Sequence, residues 1–283
     1  MAGRREIRRR IRTVRNVQQI TKALKLVAAA RLQRAQTRAA EARLYADEMR
    51  TLVASLSASE HISYPLLEVR EPANVGLIVI TSDRGMAGGY NVNIVRRAEM
   101  LIEKHGGGSV KIFAVGKRGQ VFFRKKGHEM ALSFSMPSSE IDSSLAREIS
   151  REVITRFESR ELDAVKLVYT RFYSAMRQVV SDTQILPIEF PVGDVRDITQ
   201  YIFEPEPGIL LGSLLPRYVT NQIYQALLES LASEHAARMA AMTSATDNAQ
   251  EMIENLTLEY NRARQAAITK ELTEIVSSAE AIS

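Results

Sequence analysis

The feature that most constrains the fold is the absence of Gly and Pro from the last 67 residues, Arg217 to Ser283. Both residues interrupt helices, so this stretch predicts one unbroken helix, roughly 100 Å long at about 1.5 Å of rise per residue. Its apolar residues recur at steps of three and four, which marks a single stripe that needs a partner. The stripe includes Tyr224, Leu227, Leu228, Leu231, Met252, Ile253, Leu256, Tyr260, Ile268, Leu272 and Ile275.

The partner is expected at the other end of the chain, where Arg4 to Tyr64 also lacks Gly and Pro. The stripe there is formed by Ile7, Ile11, Val14, Val17, Ile20, Leu24 and Val27. Both stretches contain alanine-rich segments, 28–40 and 236–249, whose small side chains let two helix axes approach closely. We therefore predict a long antiparallel coiled coil of the two ends, with irregular spacing and not a strict heptad. A helical hairpin packed on the middle of the chain is the alternative, but the middle is too small to cover both helices.

Proline and glycine delimit the middle of the chain. All eight prolines lie between Pro65 and Pro216, and 13 of the 14 glycines lie between Gly76 and Gly212. We accordingly predict three domains, namely an N-terminal helix at 1–64, a central domain at 65–205 and a C-terminal helix at 206–283. Pro207 suits the first turn of the last helix, and Pro216 is expected to kink it.

The central segment alternates between strand and helix patterns. Strands are expected at 75–82, 110–116, around 131–134 and at 164–170, with an extended edge segment at 178–191. Helices are expected at 92–103, 119–125 and 143–160. This alternation predicts an α/β, Rossmann-like domain with a mostly parallel sheet. The predicted fold class is thus α/β plus a long antiparallel α-helical coiled coil.

The sequence offers no convincing active site. The Gly-rich turn Asp83–Asn91 follows the first strand, where phosphate binders often sit, but it matches neither GxGxxG nor GxxxxGK[ST]. A tight turn is the simpler interpretation, and an α/β enzyme using this turn stays open as an alternative. The four histidines are scattered, and there is no cysteine. We expect no catalytic, cofactor or metal site.

Charge is distributed unevenly along the chain. Residues 1–50 carry 14 Lys and Arg against four Asp and Glu, a net charge of +10, whereas the remainder carries −5. A cationic helix calls for an anionic partner, which leaves nucleic acid, anionic lipid or acidic protein loops. A nucleic-acid-binding coiled-coil protein is the main alternative function, although an apolar stripe runs through the arginine segment and no aromatic residue precedes Tyr45. No apolar run approaches the ~20 residues that span a bilayer.

Four segments resemble the gamma subunit of F-type ATP synthases. They are Gln18–Ala30, Thr81–Asn91, Ser233–Asn248 and Tyr260–Val276. The resemblance covers the whole chain in the right order and is to the bacterial form, with Ala87 standing where many relatives carry Cys in the glycine turn. It implies a non-catalytic subunit of an H⁺-transporting ATP synthase, whose coiled coil is the central shaft turning inside a ring of three alpha and three beta subunits.

The resemblance also implies contacts for individual residues. Lys22, Leu24 and Lys25 would meet acidic loops of the beta subunits, and Arg238, Gln265 and Thr269 would contact the beta ring, with Arg264 and Glu274 as further candidates. Tyr201, Ile202, Phe203 and Glu204 would lie at the foot, near the membrane c-ring and the epsilon subunit. The implied location is the cytoplasmic face of the bacterial plasma membrane, held there through the complex, with no cofactor and no nucleic acid bound.

Overall fold

A computed structural model describes residues 2–59, 64–105, 110–190 and 206–280 of the chain. Five helices and five strands are described. The helices are α1 (Ala2–Ser59), α2 (Tyr90–Lys104), α3 (Lys117–Lys126), α4 (Ser143–Glu158) and α5 (Pro207–Glu280). The strands are β1 (Val75–Ile80), β2 (Val110–Val115), β3 (Met130–Phe134), β4 (Ala164–Phe172) and β5 (Gln178–Leu186), and a short 3-10 turn covers Pro65–Leu67.

The chain divides into two compact units. The first comprises Met1–Ala28 and Met239–Ser283, and the second comprises Ala29–Arg238. Helices α1 and α5 therefore each contribute to both units. These units cut across the division into 1–64, 65–205 and 206–283, which stays a prediction.

In the first unit, α1 and α5 run antiparallel. The Gln18 amide donates to Oε1 of Gln250 at 2.8 Å, and the Thr246 hydroxyl donates to that of Thr21 at 2.8 Å. Residue numbers therefore increase along α1 while the numbers of the paired residues decrease along α5. The predicted antiparallel pairing is confirmed for this unit.

The seam of the first unit follows a regular heptad, which corrects the expectation of irregular spacing. The α1 seam contains buried or half-buried side chains at 7, 11, 14, 18, 21, 25 and 28, with Glu6 and Leu24 half-buried beside it. The α5 seam contains those at 242, 246, 249, 253, 256, 260, 263 and 267. Both series step by four and three in turn, as in a coiled coil. The sequence hid this regularity because Gln18, Thr21 and Lys25 are polar residues at seam positions.

The predicted apolar stripe of α1 leaves the seam after Val14. Val17, Ile20 and Val27 are 47%, 59% and 49% exposed. A helix residue turns by about 100°, so a shift of one position moves a side chain onto the flank of the helix. The expected burial of these three residues was wrong for this chain by itself, and an apolar surface on α1 is left facing solvent.

The second unit holds a five-stranded sheet of order β3-β2-β1-β4-β5. The β3–β2, β2–β1 and β1–β4 pairs are parallel, and β5 runs antiparallel to β4 as an edge strand. All six residues of β1 are buried, as expected for the middle of a parallel sheet with both faces covered. The predicted mostly parallel α/β domain is confirmed.

Helices cover both faces of the sheet. Helices α2 and α3 pack on the face that carries Val75, Leu77 and Val79, with Ile94, Ala98 and Phe123 in the same core. Helix α4 lies near β4 and the Pro65–Leu67 turn, and its apolar stripe is buried at Ile149, Val153 and Phe157. Burial of these aliphatic and aromatic side chains is the main driving force for the second unit.

Pro216 lies within α5, and the helix continues beyond it. A proline ring inside a helix clashes with the carbonyl four residues earlier, and that residue is Gly212. The Thr220 hydroxyl donates to the carbonyl of Pro216 at 2.9 Å. The proline does not end the helix, and the expected kink stays a prediction.

Candidate functional site

The Gly-rich turn lies at the carboxyl edge of the sheet and joins β1 to α2. Oδ1 of Asp83 accepts hydrogen bonds from the backbone N–H groups of Lys117 at 2.9 Å and Met136 at 3.0 Å. The Ser82 N–H donates to Oδ1 of Asn91 at 2.9 Å. Asp83 therefore ties the loops that follow β2 and β3 to the turn and is not directed at an open crevice.

Gly116 is required where β2 approaches this turn. Its φ is +91°, and a Cβ there would lie 2.1 Å from the carbonyl oxygen of Thr81. The Thr81 hydroxyl donates to the Val115 carbonyl at 2.9 Å and accepts from the Gly119 N–H at 2.9 Å. The glycines at this edge serve close backbone packing, which is the tight-turn interpretation.

Helix α5 covers the carboxyl edge. The Tyr90 hydroxyl donates to the Ser230 carbonyl at 3.1 Å, and the Ser233 hydroxyl donates to the carbonyl of Thr170, near the end of β4, at 3.1 Å. In open α/β sheets, ligands bind outside the carboxyl ends at the point where the strand order reverses, which here lies between β1 and β4. That position is filled by the chain's own helix, so the geometry does not favour an enzyme using the turn.

Arg238 belongs to a buried polar cluster of the second unit. It is 9% exposed, and its guanidinium lies 2.5 Å from Oε1 of Glu234, 3.4 Å from Nδ1 of His235 and 3.3 Å from the Gly85 carbonyl oxygen. Burial raises the pKa of Glu234, and Arg238 opposes that shift. Burial, with the positive charges of Arg238 and Arg31, lowers the pKa of His235 to about 4. Arg238 thus supports α5 against the turn, and its contact with a beta ring stays a prediction.

A second buried carboxylate anchors α5 to α1 and β4. Oε1 of Glu229 accepts from Nη2 of Arg43 at 2.6 Å and from the Gln225 amide at 3.2 Å, and Oε2 accepts from the Phe172 N–H at 3.3 Å. The Glu229 side chain is 1% exposed. Such a pair is costly to bury but strongly destabilising to break, because the remaining charge would be left without compensation.

Three of the predicted contact residues lie on α1 in the first unit. Lys22 is exposed, whereas Leu24 and Lys25 are half-buried. Lys25 occupies a seam position, so its stem packs toward α5 while its ammonium group can reach solvent. The charged group therefore stands at the boundary between the seam and the surface.

Four more predicted residues, Arg264, Gln265, Thr269 and Glu274, are exposed on α5 in the first unit. In the register of the Thr21–Thr246 pair, Gln265 stands about 30 Å along the axis from the level of Lys22. The structure therefore brings these four together on one stretch of helix but does not bring them to Lys22. Lys270 pairs with Glu274 at 3.7 Å.

This stretch of α5 carries an apolar face that sequence reasoning had assigned to the seam. In the same register, 268–277 lies past the level of Arg5, the first α1 residue whose side chain the structure describes, and every residue of it is exposed. Ile268, Leu272 and Ile275 share one helix face with Gln265 and Thr269 by their spacing. The apolar stripe alone does not distinguish this face from the seam, whereas assigning heptad positions along α5 would have done so.

The predicted foot residues Tyr201, Ile202, Phe203 and Glu204 lie outside the described residues. Within the described ranges, no group of three or more His, Asp or Glu side chains could hold a metal ion. Likewise, none of the helices described is both long enough and apolar enough to cross a membrane.

The architecture defines a class of protein. Two long helices come from the two parts of the chain that flank a small α/β domain, and they run antiparallel in the first unit. The ATP synthase family model matches residues 3–282, and the chain belongs to this ATP synthase family.

Curated relatives match over the full length. The chain is 45% identical to the ATP synthase gamma chain of Heliobacterium modesticaldum, 46% to that of Moorella thermoacetica and 47% to that of Desulfitobacterium hafniense, with 100% of both chains covered in each comparison. The predicted resemblance to bacterial gamma subunits is confirmed. None of these comparisons supports the nucleic-acid alternative.

Solved structures share the fold. One is the cryo-EM central stalk and c-ring of the Tetrahymena thermophila mitochondrial ATP synthase, at 25% identity and a TM-score of 0.62, covering 80% of this chain and 99% of that chain. Another is the Euglena gracilis mitochondrial ATP synthase OSCP/F1/c-ring structure in rotational state 3, at 18% identity and a TM-score of 0.73, covering 99% of this chain and 95% of that chain. The fold is therefore that of ATP synthase central-stalk gamma subunits.

Proposed function

We propose that this chain is the central rotor shaft of a bacterial F-type ATP synthase, turning inside a ring of three alpha and three beta subunits. The observation that carries the proposal is the heptad-packed antiparallel coiled coil of the first unit, found in a chain about 45% identical to bacterial gamma chains throughout its length. Rotation of an asymmetric rod favours a different conformation at each catalytic site in turn, which couples proton flow to ATP synthesis.

The catalytic chemistry belongs to the ring, and this chain contributes shape and charge. A cationic helix is complementary to acidic loops of beta subunits, so Lys22 and Lys25 would make rim-type ion pairs that orient the shaft. Leu24 would add apolar contact beside them. These pairs form and break as the shaft turns, which suits exposed charges that bind weakly one at a time.

The apolar faces of the first unit support two bearing surfaces. Val17, Ile20 and Val27 expose an apolar flank on α1, and Ile268 with Leu272 exposes a second on α5. Exposed apolar surface of this kind marks protein contact sites. Gln265 and Thr269 share the α5 face with these apolar residues and, with Arg238, would make the polar contacts with the beta ring, and Arg264 and Glu274 are further candidates.

Assembly with the membrane rotor would use the foot. Tyr201, Ile202, Phe203 and Glu204 are the predicted contacts with the epsilon subunit and the c-ring. The chain would accordingly be held peripherally at the cytoplasmic face of the plasma membrane by its partners.

Charge reversal tests the coupling contacts. The double substitution Lys22→Glu and Lys25→Glu is expected to lower ATP-driven proton pumping, measured with reconstituted complex in vesicles. The variant chain should nevertheless stay folded. Arg151→Glu is the matched control, because Arg151 is an exposed cation of α4 in the second unit. Normal pumping by the double variant, or equal loss in the control, would contradict the charge-matching part of the proposal.

A further inference from the structure

The hairpin that joins β4 to β5 presents an apolar side chain to solvent. Residues 171–177, called here the hairpin tip, belong to the second unit and connect the end of β4 to the start of β5. Met176 at this tip is 97% exposed, and Tyr173 is 48% exposed. Single exposed apolar residues are common on protein surfaces, so the exposure of Met176 has to be considered together with its surroundings.

Hydrogen bonds fix the backbone that carries Met176. The Ser174 N–H donates to the Arg177 carbonyl at 3.1 Å, and the Arg177 N–H donates to the Ser174 carbonyl at 3.2 Å. The Ser174 hydroxyl accepts from the Met176 N–H at 3.3 Å, and the Gln178 amide donates to the Ala175 carbonyl at 2.7 Å. An ordered surface of this kind loses less conformational entropy on binding than a flexible loop does.

The hairpin tip is cationic. The guanidinium carbons of Arg171 and Arg177 lie 5.4 Å and 4.9 Å from the centroid of the Tyr173 ring. Both arginines are exposed, and neither forms a salt bridge with a carboxylate in the parts of the chain that the structure describes. The sequence contains no Asp or Glu between Asp163 and Asp182. The two positive charges therefore have no neighbouring negative charge along this hairpin.

The residue types of the hairpin tip are those of a protein interface. Tyr, Met and Arg are enriched in such interfaces, whereas Lys, Glu and Asp are depleted there. The unbranched side chain of Met176 can adapt to an irregular apolar recess. The guanidinium groups of Arg171 and Arg177 can each bind a carboxylate through two parallel hydrogen bonds. The combination fits an acidic protein surface that contains an apolar recess.

A nucleic acid or a lipid surface fits the hairpin tip less well. Single-stranded nucleic acids stack their bases on open aromatic faces, whereas two guanidinium groups already lie near the Tyr173 ring. Peripheral binding to lipid uses a broad apolar helix face or a cluster of several cations, and a tip with one methionine and two arginines provides neither. The chemistry favours a protein partner.

We propose that the hairpin tip docks on an acidic segment of another protein subunit in the assembled ATP synthase. Met176 enters an apolar recess of that segment, and Arg171 and Arg177 pair with carboxylates around the recess. This contact rests on the proposed function, because the partner belongs to that complex. It is additional to the contacts proposed for the coiled coil and the foot.

Oxidation of methionine by hydrogen peroxide, followed by mass spectrometry, tests the contact without changing the hairpin tip. The rate at Met176 is compared between the free full-length chain and the complex assembled with its partner subunits. Because oxidation follows exposure, docking should slow it by about fivefold or more in the complex. Arg177→Glu should restore a rate near that of the free chain. Arg151→Glu is the matched control, since Arg151 is an exposed cation of α4, and it should leave the protection unchanged.

Photo-cross-linking identifies the chemistry of the partner. Because the chain has no cysteine, Ala175→Cys next to Met176 can be labelled with a benzophenone maleimide before assembly. We expect cross-links to a peptide of another subunit that contains Asp or Glu together with apolar residues. Cross-links only to lipid, to nucleic acid or to a peptide without acidic residues would overturn the proposal.

The oxidation experiment separates this contact from the proposed function. Equal oxidation of Met176 in the free chain and in the complex would overturn the contact and leave the proposed function intact. Equal loss of protection in Arg177→Glu and Arg151→Glu would also overturn it, because the charge at the hairpin tip would then have no specific effect. Failure of the parent chain to co-purify with alpha and beta subunits would instead refute the proposed function, and this contact with it.

Discussion

Helix α5 has similar apolar side chains in the two units but different surroundings. In the second unit, Leu227, Leu228 and Leu231 are at most 2% exposed, whereas in the first unit Leu272 is 57% exposed and Ile275 65%. We call the part of α5 in the second unit the docked stretch and residues 268–277 the exposed stretch. The docked stretch also carries Glu229 and Arg238, each in an ion pair whose carboxylate is buried. The first unit instead joins its helices with hydrogen bonds between neutral polar side chains, Gln18–Gln250 and Thr21–Thr246.

We therefore predict that stability and partner contact depend on different stretches of this one helix. Buried apolar area contributes about 25 cal/mol per Å², so the docked stretch supplies stability to the folded chain. The exposed stretch adds little stability to the chain alone and leaves its apolar face available for partners. Substitutions along α5 should therefore separate into those that unfold the chain and those that impair assembly.

The largest effect is expected from Leu227→Ala. Leu227 is fully buried, so truncation leaves a cavity and should lower the free energy of unfolding by about 3 kcal/mol. Leu272→Ala is the matched control in the exposed stretch and should change it by no more than about 0.5 kcal/mol. Urea denaturation of the full-length chain measures both free energies of unfolding. Similar losses in the two variants would show that the exposed part of α5 contributes as much stability as the part in the second unit.

A somewhat smaller loss is expected from Glu229→Gln. The substitution keeps the shape but removes the charge that faces Arg43, so the free energy of unfolding should fall by about 2 kcal/mol. Because the Glu229 carboxylate is shielded from solvent, although the Arg43 side chain is 38% exposed, high salt should reduce this difference only in part. Denaturation at low and high salt measures it, and complete loss of the difference in high salt would place the pair in solvent.

The pH dependence tests the cluster around Arg238. The pKa of His235 is lowered from 6.5 to about 4, so the unfolded chain binds the proton more readily between these values. Stability contributed by neutral His235 is present above pH 6.5 and is lost as the pH falls toward 4, by roughly 3 kcal/mol. The raised pKa of Glu234 acts in the opposite direction, because its protonation favours the folded chain as the pH falls.

His235→Gln isolates the histidine term. The difference in unfolding free energy between the variant and the parent chain should narrow or reverse on going from pH 7 to pH 4.5. Denaturation curves at several pH values measure it. A pH-independent difference would mean that His235 titrates normally in the folded chain.

The smallest effect is expected at the seam of the first unit. The Thr21–Thr246 hydrogen bond is part-buried and joins two neutral hydroxyl groups, so its coupling energy in a double-mutant cycle with Thr21→Val and Thr246→Val should be about 0.5 kcal/mol. A coupling of several kcal/mol would show that the seam, like the docked stretch, anchors the fold.

The sequence predicted most of the fold because the signals were local. Long stretches without Gly or Pro, the buried run of β1 and the amphipathic pattern of α4 each specify an element by itself. The seam register was not predictable in this way, because Gln18, Thr21 and Lys25 break the apolar pattern at seam positions. Whether Val17 faces α5 or solvent is a difference of one residue, and only the packing of two helices decides it.

Site residues were less predictable for a related reason. From the sequence alone, Arg238 would be expected at the surface, but in the fold it is buried and contacts Glu234 and the Gly85 carbonyl. The pair of Arg43 and Glu229 joins residues 186 positions apart, and no local motif marks it. Contact roles for Lys22, Gln265 and Thr269 depend on surfaces of other chains, so they stay predictions.

Single-molecule rotation tests the central claim most directly. The chain has no cysteine, so Lys125→Cys on the exposed end of α3 provides a single attachment point for a bead. With an alpha3-beta3 ring from a bacterial relative immobilised on glass, the account predicts ATP-dependent rotation of the bead in one direction. A folded chain that binds the ring without rotating, or that does not bind it, would contradict the account.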